Sequence, residues 1–189
     1  QRLTTEILAG KDFKVICDVK AEPSYEAIDP FIPVIREYGP RYILAIGGGS
    51  TMDTAKALWA FYECPELTWD TILTDLPDFP GKATLITVPT TSGTGAEATG
   101  AAVYKKYDGT KALLINQKIR PKEAFLDFSL LDSLPPRVIV NSGVDALAHV
   151  VECYTSLKAT DFSNMFALTG AKLIFENLVR AYEDPDDME

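Results

Sequence analysis

Apolar runs that alternate with helical patterns constrain the fold of this chain most strongly. Residues 42–46 and 83–88 are short apolar and β-branched runs, typical of strands that are buried on both faces of a parallel sheet. Helical patterns cover residues 25–38, before the first run, and residues 51–61, after it. This alternation predicts an α/β fold with a Rossmann-like, doubly wound parallel sheet.

Shorter segments add further elements to this prediction. A β-rich run at 13–19 and a last run at 124–127 predict two more strands. Residues 101–104 and 111–115 predict two strands joined by a turn at Asp108-Gly109. Residues 6–10 resemble the last turn of a helix that ends at a glycine, so we expect that further chain precedes them.

The pattern changes after the segment Ser133-Leu134-Pro135-Pro136. Strand signals end there, and residues 138–157 and 164–182 show only helical periodicity, with Pro136 suited to a first turn and 161–163 to a cap. We therefore predict an α/β domain at 1–133, followed by the beginning of an all-helical domain at 134–189. The acidic segment 183–187 is interpreted as a solvated tail.

Composition excludes several classes of protein. With 47% hydrophobic and 24% charged residues, the chain has the composition of an ordinary globular protein. A net charge of −9 argues against nucleic acid as a partner, and no apolar stretch is long enough for a membrane span. The three cysteines form no CxxC pair and are interpreted as buried, reduced thiols. A cytoplasmic location is expected, because no signal peptide is visible.

The first chemical motif is Gly47-Gly48-Gly49-Ser50, between a predicted strand and a predicted helix. Glycines allow a sharp turn and close approach of the backbone to a ligand, and the N–H groups at a helix start favour phosphate. The motif therefore predicts a site for a pyrophosphate. The alternative is that Ser50 only caps the helix, with Asp53 as its capping-box partner.

The second motif is the hydroxyl-rich segment at 89–97, again directly after a predicted strand. Its hydroxyl groups could bind a phosphate, a ribose or a nicotinamide amide. Gly93, Gly95 and Ala98 match the spacing of a dinucleotide fingerprint, but the following helix and acidic residue that this fingerprint requires are missing. A purely structural loop is the alternative.

The third motif places Asp145 and His149 four residues apart on a predicted helix. Side chains at i and i+4 lie on one helix face, so both could bind one metal ion. Two ligands cannot complete a site, however, and such a pair can equally form a hydrogen bond on the helix surface. The spacing alone does not decide between these interpretations.

Taken together, three segments in this order resemble the iron-containing (group III) alcohol dehydrogenase family. The segments are Gly-Gly-Gly-Ser-Thr-Met-Asp-Thr-Ala-Lys at 47–56, Val-Pro-Thr-Thr-Ser-Gly-Thr-Gly-Ala-Glu at 88–97, and Ser-Gly-Val-Asp-Ala-Leu-Ala-His at 142–149. Residues 122–127 and 133–136 also resemble the family, so the similarity covers essentially the whole chain.

The resemblance implies that 1–133 binds NAD or NADP and that the active site lies between this domain and the helical one. It implies metal-dependent hydride transfer between a primary or secondary alcohol, or its aldehyde, and the cofactor. No catalytic residue beyond the metal ligands is implied. Asp145 and His149 would bind a divalent metal, with Fe(II) expected and Zn(II) as the alternative. The implied cofactor-binding residues are Gly47, Gly48, Gly49, Ser50, Asp53, Thr90, Thr91, Thr94 and Lys111.

Family members also have a strand before the first residue of this chain and two further metal-binding histidines after its last residue. We therefore expect a fragment of a longer protein that is inactive by itself; the alternative is a complete but degenerate product. Other functions considered are a glycerol dehydrogenase or dehydroquinate-synthase-like enzyme on the same scaffold, and a non-catalytic nucleotide-binding module. The resemblance is compatible with a homo-oligomer and indicates no nucleic-acid or membrane partner.

Overall fold

A computed structural model describes residues 6, 8–17 and 19–184 of the chain. Six α-helices and five strands are present in this described part. The helices are α1 (Tyr25–Ile28), α2 (Phe31–Tyr38), α3 (Gly49–Glu63), α4 (Thr71–Thr74), α5 (Pro136–Thr155) and α6 (Asp161–Glu183). The strands are β1 (Tyr42–Gly47), β2 (Thr84–Pro89), β3 (Ala101–Lys105), β4 (Lys111–Ile115) and β5 (Glu123–Ala124).

A parallel sheet with the strand order β1-β2-β5 forms the base of the fold. Strands β1 and β2 pair along their whole length, from Tyr42–Thr84 to Gly47–Pro89, so their carboxyl ends meet at one edge. Strands β3 and β4 form a separate antiparallel hairpin. The prediction of a Rossmann-like α/β fold that continues into a helical region is confirmed.

Three element predictions were wrong in detail. Residues 13–17 and 19 form no strand, and Asp18 lies outside the described residues. The helix predicted at 25–38 is divided into α1 and α2, because Pro30 has no N–H group with which to continue the helical hydrogen bonds. The last strand is limited to β5, although the N–H of Phe125 still donates to the carbonyl of Thr87 over 2.8 Å.

Burial also differs from the prediction in two places. Strand β1 is at the edge of the described sheet, and Tyr42 and Leu44 are 66% and 45% exposed, so β1 is not buried on both faces. Cys17 is exposed and Cys153 is half-buried, whereas Cys64 is buried as predicted. Gly10 has a left-handed φ of +74°, which fits the predicted glycine end, but residues 1–5 and 7 lie outside the described part. Most of the predicted acidic tail, 185–189, also lies outside it.

Helix α3 is fixed against the sheet by its carboxyl-terminal end. The indole N–H of the buried Trp59 donates to the carbonyl of Ala83 over 3.1 Å and to the carboxylate of Glu63 over 3.2 Å. The buried Glu63 carboxylate also accepts backbone N–H bonds from Gly81, Lys82 and Ala83 at 2.7–2.9 Å. These contacts place the amino terminus of α3 at the carboxyl edge of β1 and β2.

Helices α5 and α6 pack as an antiparallel hairpin. Pro136 is in the first turn of α5 as predicted, and α6 begins with a reciprocal capping box between Thr160 and Ser163. Gly143 lies so close to Leu178 that a Cβ atom there would collide with the leucine. Among the described helices, none is long and apolar enough to cross a membrane.

Candidate functional site

An open cleft of about 920 Å³ lies where the amino terminus of α3, the β3–β4 hairpin and helix α5 meet. It therefore connects all three motifs that the sequence singles out. The predicted site residues that line it are Gly49, Ser50, Asp53, Thr94, Lys111, Asp145 and His149.

The glycine turn begins α3 without a side-chain cap. Gly48 is the N-cap, and its carbonyl accepts the N–H groups of Thr51 and Met52 over 3.0 and 3.2 Å. Ser50 is inside the helix, so the alternative in which Ser50 caps α3 is not observed. The N–H groups of Gly49 and Ser50, at the positive end of the helix dipole, have no carbonyl within the helix to bind and can bind an anion.

Four predicted cofactor residues lie beside the cleft and do not line it. The N–H of Thr90 donates to the carbonyl of Gly47 over 2.9 Å. A Cβ atom on Gly48 would lie 3.3 Å from the side chain of Thr91. In this structure, Gly47, Gly48, Thr90 and Thr91 support the turn by packing against one another, and their contact with a cofactor stays a prediction.

The hydroxyl-rich loop follows β2 in the sequence and lies against α5. No helix is formed between residues 90 and 100, so the fingerprint spacing of Gly93, Gly95 and Ala98 does not occur in its required context. A Cβ atom on Gly93 would collide with the backbone carbonyl of Ser142, in the first half of α5. The sequence did not indicate this contact, which brings the loop to within one turn of Asp145.

Asp53 places a largely buried carboxylate at the edge of the cleft. Its Oδ2 accepts the backbone N–H of Val103 over 3.0 Å, and its Oδ1 is 4.0 Å from the ammonium of Lys56. Burial raises the pKa of Asp53 from 3.8 to about 6, although the Val103 N–H and the Lys56 charge both act in the opposite direction. The ionised carboxylate is therefore disfavoured in the folded chain.

This perturbation predicts a pH-dependent difference in stability between the wild type and Asp53→Asn. Because the folded pKa is raised, the wild type loses stability relative to the variant as the pH rises from about 4 to about 6. The whole shift corresponds to at most roughly 3 kcal/mol, of which about 2 kcal/mol falls between pH 4.5 and pH 7.5. Urea unfolding of both proteins at pH 4.5 and pH 7.5 measures it, and the same difference at both pH values would contradict the raised pKa.

The β3–β4 hairpin forms the apolar wall of the cleft. Val103 and Leu113 are directly paired across the two strands, line the cleft, and are 40% and 58% exposed. At the mouth, the ammonium of Lys111 is 3.3 Å from the carboxylate of Glu22, and both side chains are largely exposed. The wall thus offers an apolar surface beside the positive charges of Lys105 and Lys111, which both line the cleft.

Asp145 and His149 face the cleft from α5. The Oδ1 of Asp145 is 3.9 Å from the Nε2 of His149, and the two side chains are 46% and 51% exposed. Within the described part of the chain, no third ligand residue, whether histidine, cysteine, aspartate or glutamate, joins this pair to form a metal cluster. The pair can supply one oxygen and one nitrogen ligand, so half of a tetrahedral site is available.

Comparisons with known proteins identify the family of this chain. The family model for iron-containing alcohol dehydrogenase matches residues 1–128, and a second model for the carboxyl-terminal part of that family matches residues 139–189. This chain belongs to the iron-containing alcohol dehydrogenase family. These matches do not favour a glycerol dehydrogenase, a dehydroquinate synthase or a non-catalytic module.

Among curated relatives, an alcohol dehydrogenase from Thermococcus barophilus is 39% identical over 176 residues, which cover 89% of this chain and 46% of the relative. An NADPH-dependent butanol dehydrogenase from Clostridium saccharobutylicum is 36% identical, covering 93% of this chain and 46% of the relative. A solved structure of sulfoacetaldehyde reductase from Bifidobacterium kashiwanohense with NAD+ superimposes with a TM-score of 0.87 at 28% identity, covering 98% of this chain and 50% of that one. The chain thus spans about half the length of these relatives.

Proposed function

We propose that this chain is the cofactor-binding part, with the first two metal ligands, of a dehydrogenase that exchanges a hydride between NAD(P) and a small alcohol or aldehyde. One observation carries the proposal: a single cleft is lined by the amino terminus of α3 and by the Asp145–His149 pair of α5. The relatives named for NADPH or solved with NAD+ support the cofactor class.

The α3 amino terminus fits the pyrophosphate of a dinucleotide. The N–H groups at Gly49 and Ser50 supply donors, and the missing Cβ at Gly49 lets the side chain of Thr94 pack closely against the turn. The neighbouring hydroxyl of Thr94 lines the same part of the cleft. On the opposite wall, Val103 and Leu113 would cover the apolar parts of the cofactor and exclude water.

Two side chains of α5 can supply part of the ligand set of a divalent metal. A carboxylate and a neutral imidazole on one helix face are ligands used for iron and for zinc. When bound, the metal and the cofactor supply Lewis-acid polarisation of the substrate oxygen and a carrier for hydride. The roles of Asp145 and His149 are to hold the metal, and those of Gly49 and Ser50 to hold the cofactor.

Cofactor titration tests the proposal directly. We expect NADH or NADPH to bind the 189-residue chain with one-to-one stoichiometry, measured by calorimetry and by cofactor fluorescence. Inorganic pyrophosphate should compete, because it requires the same helix terminus. Failure of both dinucleotides to bind the folded chain would contradict the proposed cofactor site.

Metal binding by the isolated chain is expected to be weak, because it offers two ligands on one helix face. Anaerobic calorimetry with Fe(II), and separately with Zn(II), should show a weak heat of binding for the wild type. His149→Ala should abolish this heat of binding. The matched control is Glu176→Gln, which changes an exposed carboxylate on α6 that pairs with Lys172. This variant should leave the heat of metal binding unchanged. A tight one-to-one site that survives His149→Ala would show that the ligand assignment is wrong.

A further inference from the structure

A fully buried lysine lies directly behind the wall of the cleft. The side chain of Lys56, on α3, is 0% exposed, and its ammonium donates to the carbonyl of Ala101 over 2.7 Å. A weaker contact of 3.4 Å reaches the hydroxyl of Thr99, and the carboxylate of Asp53 is 4.0 Å away. Removing an ammonium from water is costly, so its retention at this position requires a reason beyond filling space.

All three partners of this ammonium line the cleft, although Lys56 itself does not. Ala101 is the first residue of β3, and Thr99 lies two residues before it in the preceding loop. Asp53, one turn before Lys56 on α3, accepts the N–H of Val103 in the same strand. The lysine is therefore connected on one side to the helix that begins with the glycine turn and on the other to the apolar wall.

The hairpin is not part of the parallel sheet, so its position is set by the burial of Ala102, Tyr104, Ala112 and Leu114 in the core and by polar contacts with its neighbours. Its polar links to α3 are the two bonds just described and the hydroxyl of Tyr104, which donates to the carbonyl of Asp53 over 3.1 Å. A side chain without a donor in place of Lys56 would leave the carbonyl of Ala101 without this hydrogen bond. Burial lowers the pKa of Lys56, whereas the charges of Asp53 and Glu97 act to keep it protonated.

We propose that Lys56 is a positioning residue that ties the first residues of β3 to α3 and thereby sets the distance between the glycine turn and the apolar wall. The proposal rests on the proposed function for its consequence, which is the affinity for a dinucleotide that must contact both sides. Its structural part, the fixing of β3, does not depend on any ligand.

Lys56→Met tests the fixing of β3 separately from the affinity for a dinucleotide. Methionine fills a similar volume but has neither a charge nor a donor. The control is Lys118→Met, since the Lys118 ammonium also donates to a backbone carbonyl, that of Leu76, over 2.7 Å, but lies outside the cleft. In hydrogen exchange of the ligand-free chains, we expect residues 101–105 to exchange at least 10-fold faster in Lys56→Met than in the control. Unchanged protection of these residues would overturn the proposal, whether or not a cofactor binds.

Ligand titrations then distinguish positioning from simple attraction by charge. For Lys56→Met we expect NADH affinity to fall at least 10-fold while the affinity for inorganic pyrophosphate changes less than two-fold, because pyrophosphate needs only the α3 terminus. An equal loss for both ligands would overturn positioning in favour of charge attraction. If the wild type binds no dinucleotide, the proposed function fails, and the exchange experiment still decides the role of Lys56 in fixing β3.

A milder variant covers the case in which Lys56→Met does not fold. Lys56→Gln retains an N–H donor on a shorter side chain, so we expect the same selective loss of protection at 101–105, smaller than in the methionine variant. Lys56→Arg, which keeps charge and donors, should restore more of this protection than glutamine does. Full protection in Lys56→Gln would also overturn the proposal.

Discussion

Gly93→Ala is expected to lower the free energy of unfolding by about 2–3 kcal/mol, a large effect for the addition of one methyl group. The reason is the backbone contact between the hydroxyl-rich loop and α5. A Cβ atom at position 93 would collide with the carbonyl oxygen of Ser142, and the backbone of a helix cannot move away as a side chain can. The loop and α5 must therefore separate, which should also enlarge the cleft between them.

The matched control is Gly95→Ala in the same loop. Gly95 has a φ of +62° and open space around it, so alanine there is strained by about 1–2 kcal/mol but meets no neighbour. Urea unfolding gives both changes in stability, and hydrogen exchange shows where they act. We expect faster exchange in α5 only for Gly93→Ala. If α5 keeps its protection in that variant, the contact with Ser142 does not hold the two parts together.

The sheet could be predicted from local pattern because β1 and β2 are adjacent, continuous and parallel. Apolar periodicity identifies such strands without knowledge of their neighbours. The same reasoning failed at residues 13–17 and 19, which have β-rich composition but no strand partner in the described part. It also failed for the exposure of Tyr42 and Leu44, because burial depends on which elements cover a face and not on the strand itself.

The motifs that meet at the candidate site could be predicted from the sequence. Parallel strands bring their carboxyl ends to one edge, and the glycine turn and the hydroxyl-rich loop lie together because each follows such a strand. Local pattern could not show which members of each motif would line the cleft. That selection depends on long-range contacts, such as the bond between Asp53 and Val103, 50 residues apart, and the contact between Gly93 and α5. Lys56 belongs to the motif at 47–56, but the motif does not reveal that this side chain is buried.

The second large effect is expected for Gly49→Val, which should weaken NAD(P)H binding at least 100-fold, or by about 2.8 kcal/mol. Gly49 lines the cleft in the first turn of α3, where the proposed pyrophosphate site lies. A Cβ atom there would be 2.9 Å from the Cγ2 of Thr94, so the side chains must rearrange in the space that the phosphate needs. The backbone of Gly49 is helical, and valine does not have to adopt a disfavoured φ.

The adjacent glycine provides the control that makes this prediction specific. Gly48→Ala places its Cβ 3.3 Å from the side chain of Thr91, behind the turn and outside the cleft, so we expect less than a five-fold loss of NADH affinity. Thermal unfolding of both variants shows that the titrated protein is folded. Equal losses at the two positions would indicate that the whole turn has been distorted. If Gly49→Val binds NADH like the wild type, the amino terminus of α3 does not hold the cofactor, and the proposed pyrophosphate site is wrong.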